Sequence, residues 1–308
     1  MAYSKWVDTK SSFESLINNF SKKRVKKRVK IIDPVSNDTL VNKVDVTFKN
    51  NQEFEIDGKK VKYNYLVYQY EYIKPGEIAN PIREKRIGLY VADIIIFNYD
   101  NKTYYIVDKR YSAATLRNLR TLAGYSGKGE IREERISGIK TDLFIWMIHY
   151  LLDAPNSFIG KQKNTKIESV VGFKGSTADK LAEISGAGEK IMMTLTTLLF
   201  LFENQKISKV ETTIFRKDEL FKLSLGEKSL VEIDFNSFEG EEFFMGKEEL
   251  KSKVAIKVFV DVIPNLISIF SNEINSKKWS PSKEEKFFRG IGQDLLGKIE
   301  EKLQTKNI

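Results

Sequence analysis

Val61-Lys62-Tyr63-Asn64-Tyr65-Leu66-Val67-Tyr68-Gln69-Tyr70-Glu71-Tyr72-Ile73 carries five tyrosines and neither glycine nor proline. Aromatic and β-branched side chains at short period suit a pleated strand. Just upstream, Phe54 and Ile56 lead into Asp57-Gly58, the kind of pair that tolerates the positive φ of a two-residue hairpin loop. Downstream, Pro75-Gly76 turns the chain. A second hairpin follows, Arg86 to Phe97 and Thr103 to Val107, around Asp100 and Asn101, and Val44, Val46 and Phe48 alternate further upstream. Residues 40–110 therefore read as antiparallel β-structure.

Outward from this block the period becomes helical. The first element reads as a helix with Ser11 and Glu14 spaced as a capping box and Phe13, Leu16, Ile17 and Phe20 on one face. After Tyr111, Ser112 caps a helix with Leu116, Leu119 and Leu122 inward, Gly124, Gly127 and Gly129 mark a loop, and Thr141 to Asp153 forms a helix stopped at Ala154-Pro155. Further on come an apolar strand from Ile167 to Phe173, a helix from near Ser176 and a buried helix over 189–203. A meander follows over about 208–215, 219–225 and 229–235. Lys247 to Asn275 is long, amphipathic and divided at Pro264, and a helix capped by Ser282 runs to about Lys302. The expected class is α+β, with a mainly antiparallel sheet in the N-terminal half and helices plus a short β-meander in the C-terminal half. The polar, lysine-rich stretch from Asn156 to Lys166 separates an expected β-rich domain, 1–155, from an α+β domain, 165–308, that ends in two long helices.

Composition narrows the chemistry. There is no cysteine and a single histidine, His149, among 308 residues. Disulfides, thiolate metal sites, cysteine nucleophiles and multi-histidine metal centres are thereby excluded. His149 sits among Phe144, Ile145, Trp146, Met147 and Ile148 and reads as a core-edge histidine. The most membrane-like segment, Ile191 to Phe202, is shorter than the ~20 residues of a spanning helix, so no transmembrane segment is expected. A cysteine-free chain with a polar start suits a cytoplasmic location.

Charge is the most informative signal. Lys22, Lys23, Arg24, Lys26, Lys27, Arg28 and Lys30 occupy nine residues with no acid among them, and Val25 and Val29 interrupt the run as though tied to the fold. The run continues the first helix or starts a strand. Residues 1–30 hold nine basic side chains against two acidic ones, and the whole chain carries a net charge of +9. Like charges this close repel, and a polyanion relieves the repulsion by replacing condensed counterions. A solvated surface face is the alternative reading. A second group, Lys109, Arg110, Arg117 and Arg120, accompanies Tyr111 and Tyr125, with Arg117 and Arg120 spaced i, i+3 on the proposed helix. Rings beside arginine suit base stacking. Glu130, Glu133 and Glu134 can instead absorb nearby arginines in ordinary ion pairs.

Asp93 followed by Asp108-Lys109-Arg110 across a turn resembles the hairpin of metal-dependent restriction-type nucleases, in which an aspartate precedes an acid-x-Lys triplet. The resemblance covers only residues 93–110 and puts Arg110 where lysine belongs. It implies two carboxylates holding Mg²⁺ and a cation facing developing phosphorane charge. Gly172-Phe173-Lys174-Gly175-Ser176-Thr177 has the strand-to-helix context of an anion loop but not P-loop spacing.

These observations lead to an expectation of nucleic-acid binding through sequence-independent phosphate contacts, with DNA and RNA not distinguished and no cofactor. The lysine- and asparagine-rich style suggests a bacterial or phage setting and host–virus conflict. The alternatives are an Mg²⁺-dependent nuclease at Asp93 and Asp108, and a non-catalytic regulatory subunit with a protein partner.

Overall fold

The computed structural model describes residues 1–21, 31–176, 183–187 and 206–306. The basic run 22–30 and the expected helix over 189–203 lie outside the described residues. In chain order the elements are β1 (Ala2–Asp8), α1 (Phe13–Ser21), β2 (Asn42–Val46), β3 (Gln52–Ile56), β4 (Lys59–Ile73), α2 (Arg83–Arg86), β5 (Ile87–Tyr99), β6 (Lys102–Val107), α3 (Ala113–Ala123) and β7 (Ile131–Glu133). They continue with α4 (Thr141–Asp153), β8 (Phe158–Ile159), β9 (Thr165–Ser176), β10 (Glu183–Ala187), β11 (Lys206–Arg216), β12 (Glu219–Gly226), β13 (Leu230–Ile233), α5 (Lys247–Lys257), α6 (Ile263–Asn275) and α7 (Pro281–Lys306). The chain is α+β, with antiparallel strands dominating the first half and helices with a meander the second.

Two compact units emerge, residues 1–135 with 245–256, and residues 136–244 with 257–308. The expected boundary at 156–166 falls inside the second unit.

In the first unit the strands pair antiparallel in the order β1-β6-β5-β4-β2, with β3 also on β4 and β7 on β1. Side chains alternate across a strand, so Leu66 and Tyr68 of β4 share a face with Ala92, Ile94 and Ile96 of β5. That face packs against Phe13, Leu16 and Phe20 of α1 and Leu119 and Leu122 of α3 in one buried core. Each large apolar side chain buried there contributes about 1.5–3 kcal/mol. Asp57 and Gly58 adopt φ of 51° and 74°, and Asp100 and Asn101 adopt 52° and 59°, as tight hairpin loops require.

The sequence reading missed β1. Its Ser4 and Asp8 are polar yet buried, which hides the alternation. Ser4 accepts from the Trp6 indole at 2.8 Å and donates to the Lys109 carbonyl at 2.7 Å. Asp8 accepts from the hydroxyls of Tyr105 and Tyr125, each at 2.9 Å to one carboxylate oxygen. The α1 cap also differs from the expectation: Ser12, not Ser11, accepts from the Ser15 amide, at 3.3 Å, while the Ser11 amide donates to Asp8.

A buried bidentate pair anchors the loops beside β4 and β5. The Arg86 guanidinium donates to both Asp33 oxygens, at 2.8 and 2.6 Å, and to the Asn80 carbonyl. The Arg86 hydrogen bonds hold the Asp33 carboxyl well below the usual carboxylate range.

The second unit has its own antiparallel sheet, β10-β9-β11-β12-β13, with β8 on β9. The helix expected at Thr141 to Asp153 is present with those bounds as α4, and Phe144, Trp146 and Met147 are fully buried. Gly172 to Ser176 belong to strand β9, paired with β10 and β11 rather than opening a helix. The anion-loop context is therefore absent there. Residues 258–262 form a π-helical turn, and Pro264 lies in the first turn of α6. Ser280, not Ser282, caps α7 by accepting from the Lys283 amide at 3.4 Å, with Pro281 as its first residue. The stretch Lys247–Asn275 is long and apolar enough to cross a membrane by length and composition, and 56% of its most apolar window is buried.

Candidate nucleic-acid interface

The pairing of β4 with β5 sets Tyr70 opposite Tyr90 and Tyr72 opposite Gly88. The Tyr70 and Tyr90 rings stack at 4.9 Å between centroids. Tyr68 lies 5.5 Å from Tyr70 and Tyr72 lies 6.1 Å from it on the other side, giving a continuous row of rings. A Cβ at Gly88 would come within 2.5 Å of the Tyr72 ring, so the missing side chain makes room for that ring. Tyr68 is buried, Tyr70 and Tyr90 are half-buried, and Tyr72 is 38% exposed. Burial pushes the Tyr90 phenol up, keeping it a protonated donor at neutral pH.

Helix α3 forms the facing wall. Ser112 caps it by accepting from the Thr115 amide at 3.0 Å, and Gly124 ends it at φ 75°. Residues three and four apart share a helix face. Ala114, Arg117, Asn118 and Thr121 thus line a groove of about 660 Å³ together with Tyr68, Tyr70, Tyr72 and Tyr90. The Tyr70 hydroxyl donates to Asn118 at 3.2 Å. Ile31, directly after Lys30, stands on the rim.

The expected cations divide clearly. Lys22, Lys23, Arg24, Lys26, Lys27, Arg28 and Lys30 lie outside the described residues. Arg117 lines the groove, and Lys109 places its ammonium 5.9 Å from the centre of the Tyr90 ring. Arg110 is exposed, just before the α3 cap. Among the described residues neither Arg110 nor Arg117 has an ion pair. Arg120 does not line the groove and lies 3.8 Å from Glu130. Glu133 likewise takes Arg135, at 2.5 Å. The acids at 130 and 133 therefore absorb Arg120 and Arg135, while Arg110 and Arg117 stay open.

The opposite face of the same sheet carries the acidic pair. Asp93 on β5 and Asp108, just past β6, are neighbours: the Asp93 amide donates to Asp108 Oδ1 at 3.0 Å, and the Asp108 amide donates to the Asp93 carbonyl at 3.1 Å. Lys251, from α5, donates to Asp93 Oδ2 at 3.0 Å, and Lys109 lies 3.4 Å from Asp108 Oδ2. Burial pushes the Asp108 carboxyl up, with Lys109 opposing. Burial followed by the nearby carboxylates raises the phenols of Tyr3 and Tyr65 strongly, so both stay protonated beside the acids.

This donor set does not fit Mg²⁺ as it stands. Two carboxylates already face two ammoniums, and among the described residues no group of three or more acids or histidines is placed to hold a metal. Arg110 does not serve as the cation of the pair. Lys251, far downstream in the chain, supplies it, and no sequence signal linked it to Asp93.

His149 belongs to the second unit. It pairs with Asp153 at 2.9 Å and packs 4.7 Å from the Trp279 ring and 5.3 Å from Phe287, a core-edge position as expected.

Neither protein-family models nor curated protein sequences give a match to this chain.

Proposed function

We propose that the protein binds nucleic acid through phosphate contacts from cations around the tyrosine groove. The observation that carries this reading is Arg117: exposed, without an ion-pair partner among the described residues, and set on the wall of a groove floored by rings. A guanidinium held open beside π-faces recognises phosphate by charge and bases by stacking. The basic run strengthens the reading by chemistry alone, because seven cations in nine residues favour a polyanionic ligand. Phosphate contacts of this kind carry no sequence information.

Gel-shift and anisotropy titrations on DNA and RNA at two salt concentrations test the proposal. Binding is expected to weaken steeply with salt. The Arg110→Ala/Arg117→Ala pair is expected to reduce the log–log salt slope by up to about 0.9 per lost phosphate contact on duplex DNA, and Lys26, Lys27 and Arg28 changed to alanine by a similar amount each. No binding at low salt sinks the proposal and favours a protein-binding subunit.

A second reading, phosphodiester hydrolysis at the acidic cluster, has one observation in its favour. Asp93 and Asp108 adjoin, and Lys251 provides the cation that Arg110 does not. Incubating the same probes with and without Mg²⁺ tests it: cleavage must appear and must vanish in Asp93→Asn and Lys251→Met. Intact probes in every condition remove it.

A further inference from the structure

We infer that the tyrosine groove seats unpaired bases, so that the ligand is a single-stranded rather than a duplex nucleic acid; the inference rests on the nucleic-acid reading proposed above. In a duplex both faces of each base are covered by neighbours in the stack, and a protein meets only groove edges and phosphates. A floor of ring faces is complementary to the one feature that unpaired bases expose. Stacking of this kind is indifferent to sequence because every base has a π-face.

The dimensions and lining agree with that ligand. The groove's volume of about 660 Å³ falls within the ~300–1,000 Å³ typical of small-ligand sites, the scale of a nucleobase with its sugar. The α3 wall adds the polar side chains of Asn118 and Thr121 and the guanidinium of Arg117 to the lining. Lys109 lies 5.9 Å from the Tyr90 ring but is paired with Asp108, so among the residues lining the groove the cation open to a phosphate is Arg117.

The competing account is that these tyrosines only stabilise the sheet through cross-strand contacts. Tyr68, at 2% exposure, fits that account. Tyr72 does not, because its 38% exposed ring lies over the glycine backbone at position 88 and covers no apolar side chain there. The stacked pair of Tyr70 and Tyr90 does both: half-buried, it packs against the core and also lines the groove.

The test is anisotropy with labelled oligothymidylate, oligouridylate and a duplex of equal length on the full chain. Single strands are expected to bind about tenfold or more tightly than the duplex. Tyr72→Ala is expected to weaken single-strand binding about five- to tenfold while leaving duplex binding unchanged, and Tyr72→Phe to restore it. Photocross-linking of iodouracil-substituted single strands to the unmodified protein is expected to mark Tyr70, Tyr72 or Tyr90, a readout independent of whether the variant folds. Equal affinity for single strand and duplex, or cross-links mapping only elsewhere, overturns the groove inference while phosphate binding stands. Failure of every probe to bind removes the underlying reading as well.

Discussion

The same strands build two faces in the first unit, and the faces treat charge in opposite ways. On one, Tyr68, Tyr70, Tyr72 and Tyr90 form a row of rings that passes from the buried core into an open groove, with Arg117 beside it and, among the described residues, no acid paired with it. On the other, Asp93 and Asp108 are matched by Lys251 and Lys109 and hemmed by Tyr3 and Tyr65. A cluster whose charges are mutually satisfied contributes to holding the fold. A cation left open beside exposed rings costs nothing in water and is available to a ligand. The difference identifies the tyrosine face, rather than the acidic pair, as the place to look for binding.

The largest expected effect tests whether the tyrosine face really divides into a packed and an open part. Trp6 is fully buried in that core, and Trp6→Ala is expected to cost about 3–5 kcal/mol, partly because it removes the indole donor to Ser4. Tyr72→Ala on the same face is expected to cost within about 0.5 kcal/mol, as surface positions do. Urea unfolding followed by far-UV circular dichroism measures both. Equal losses would mean that Tyr72 is part of the core and that the groove is not an open surface.

A smaller effect probes the acidic face. Burial raises the Asp108 carboxyl, so the folded protein holds that proton more tightly than the unfolded chain does. The side chain therefore favours the folded state fully below the ordinary carboxyl range near pH 4, and that contribution is lost as pH rises through the folded value. Asp108→Asn is expected to raise stability at neutral pH by up to about 1 kcal/mol and to change little at pH 3. Urea midpoints at the two pH values decide it. A loss at neutral pH would show that the ion pair with Lys109 outweighs burial, and the acidic face would then be held by its charges rather than burdened by them.

Much of this arrangement was legible in the chain. The tyrosine strand, the Asp57-Gly58 and Asp100-Asn101 hairpin loops, the Ser112 cap and the helix Thr141–Asp153 follow from local rules of period, turn and cap, and each is present. β1 escaped because a buried serine and a buried aspartate, satisfied by Trp6, Lys109, Tyr105 and Tyr125, break the apolar alternation. Sequence also gave no means of knowing that Glu130 takes Arg120 while Arg117 stays open, since that depends on how the 124–130 loop folds back on α3. The tyrosines were visible as five rings within one strand. The row's continuation through Tyr90 depends on strand register, and the link from Lys251 to Asp93 on chain return, neither of which local pattern encodes.

Gly88 offers the finest test of the comparison because it separates the shape of the groove from the stability of the sheet. Alanine there gains up to about 0.4–1 kcal/mol by restricting the unfolded chain, and loses a comparable amount by pushing its Cβ against the Tyr72 ring, which can swing toward solvent. Gly88→Ala is therefore expected to leave the unfolding midpoint nearly unchanged. Single-strand binding should nonetheless fall about as far as in Tyr72→Ala, because the displaced ring no longer continues the row beside Tyr70. The double variant should fall no further than either single change, the signature of two residues acting through one ring. Additive losses would instead mean that Gly88 contributes through its own backbone rather than through Tyr72, and anisotropy on the four proteins of that cycle distinguishes the two outcomes.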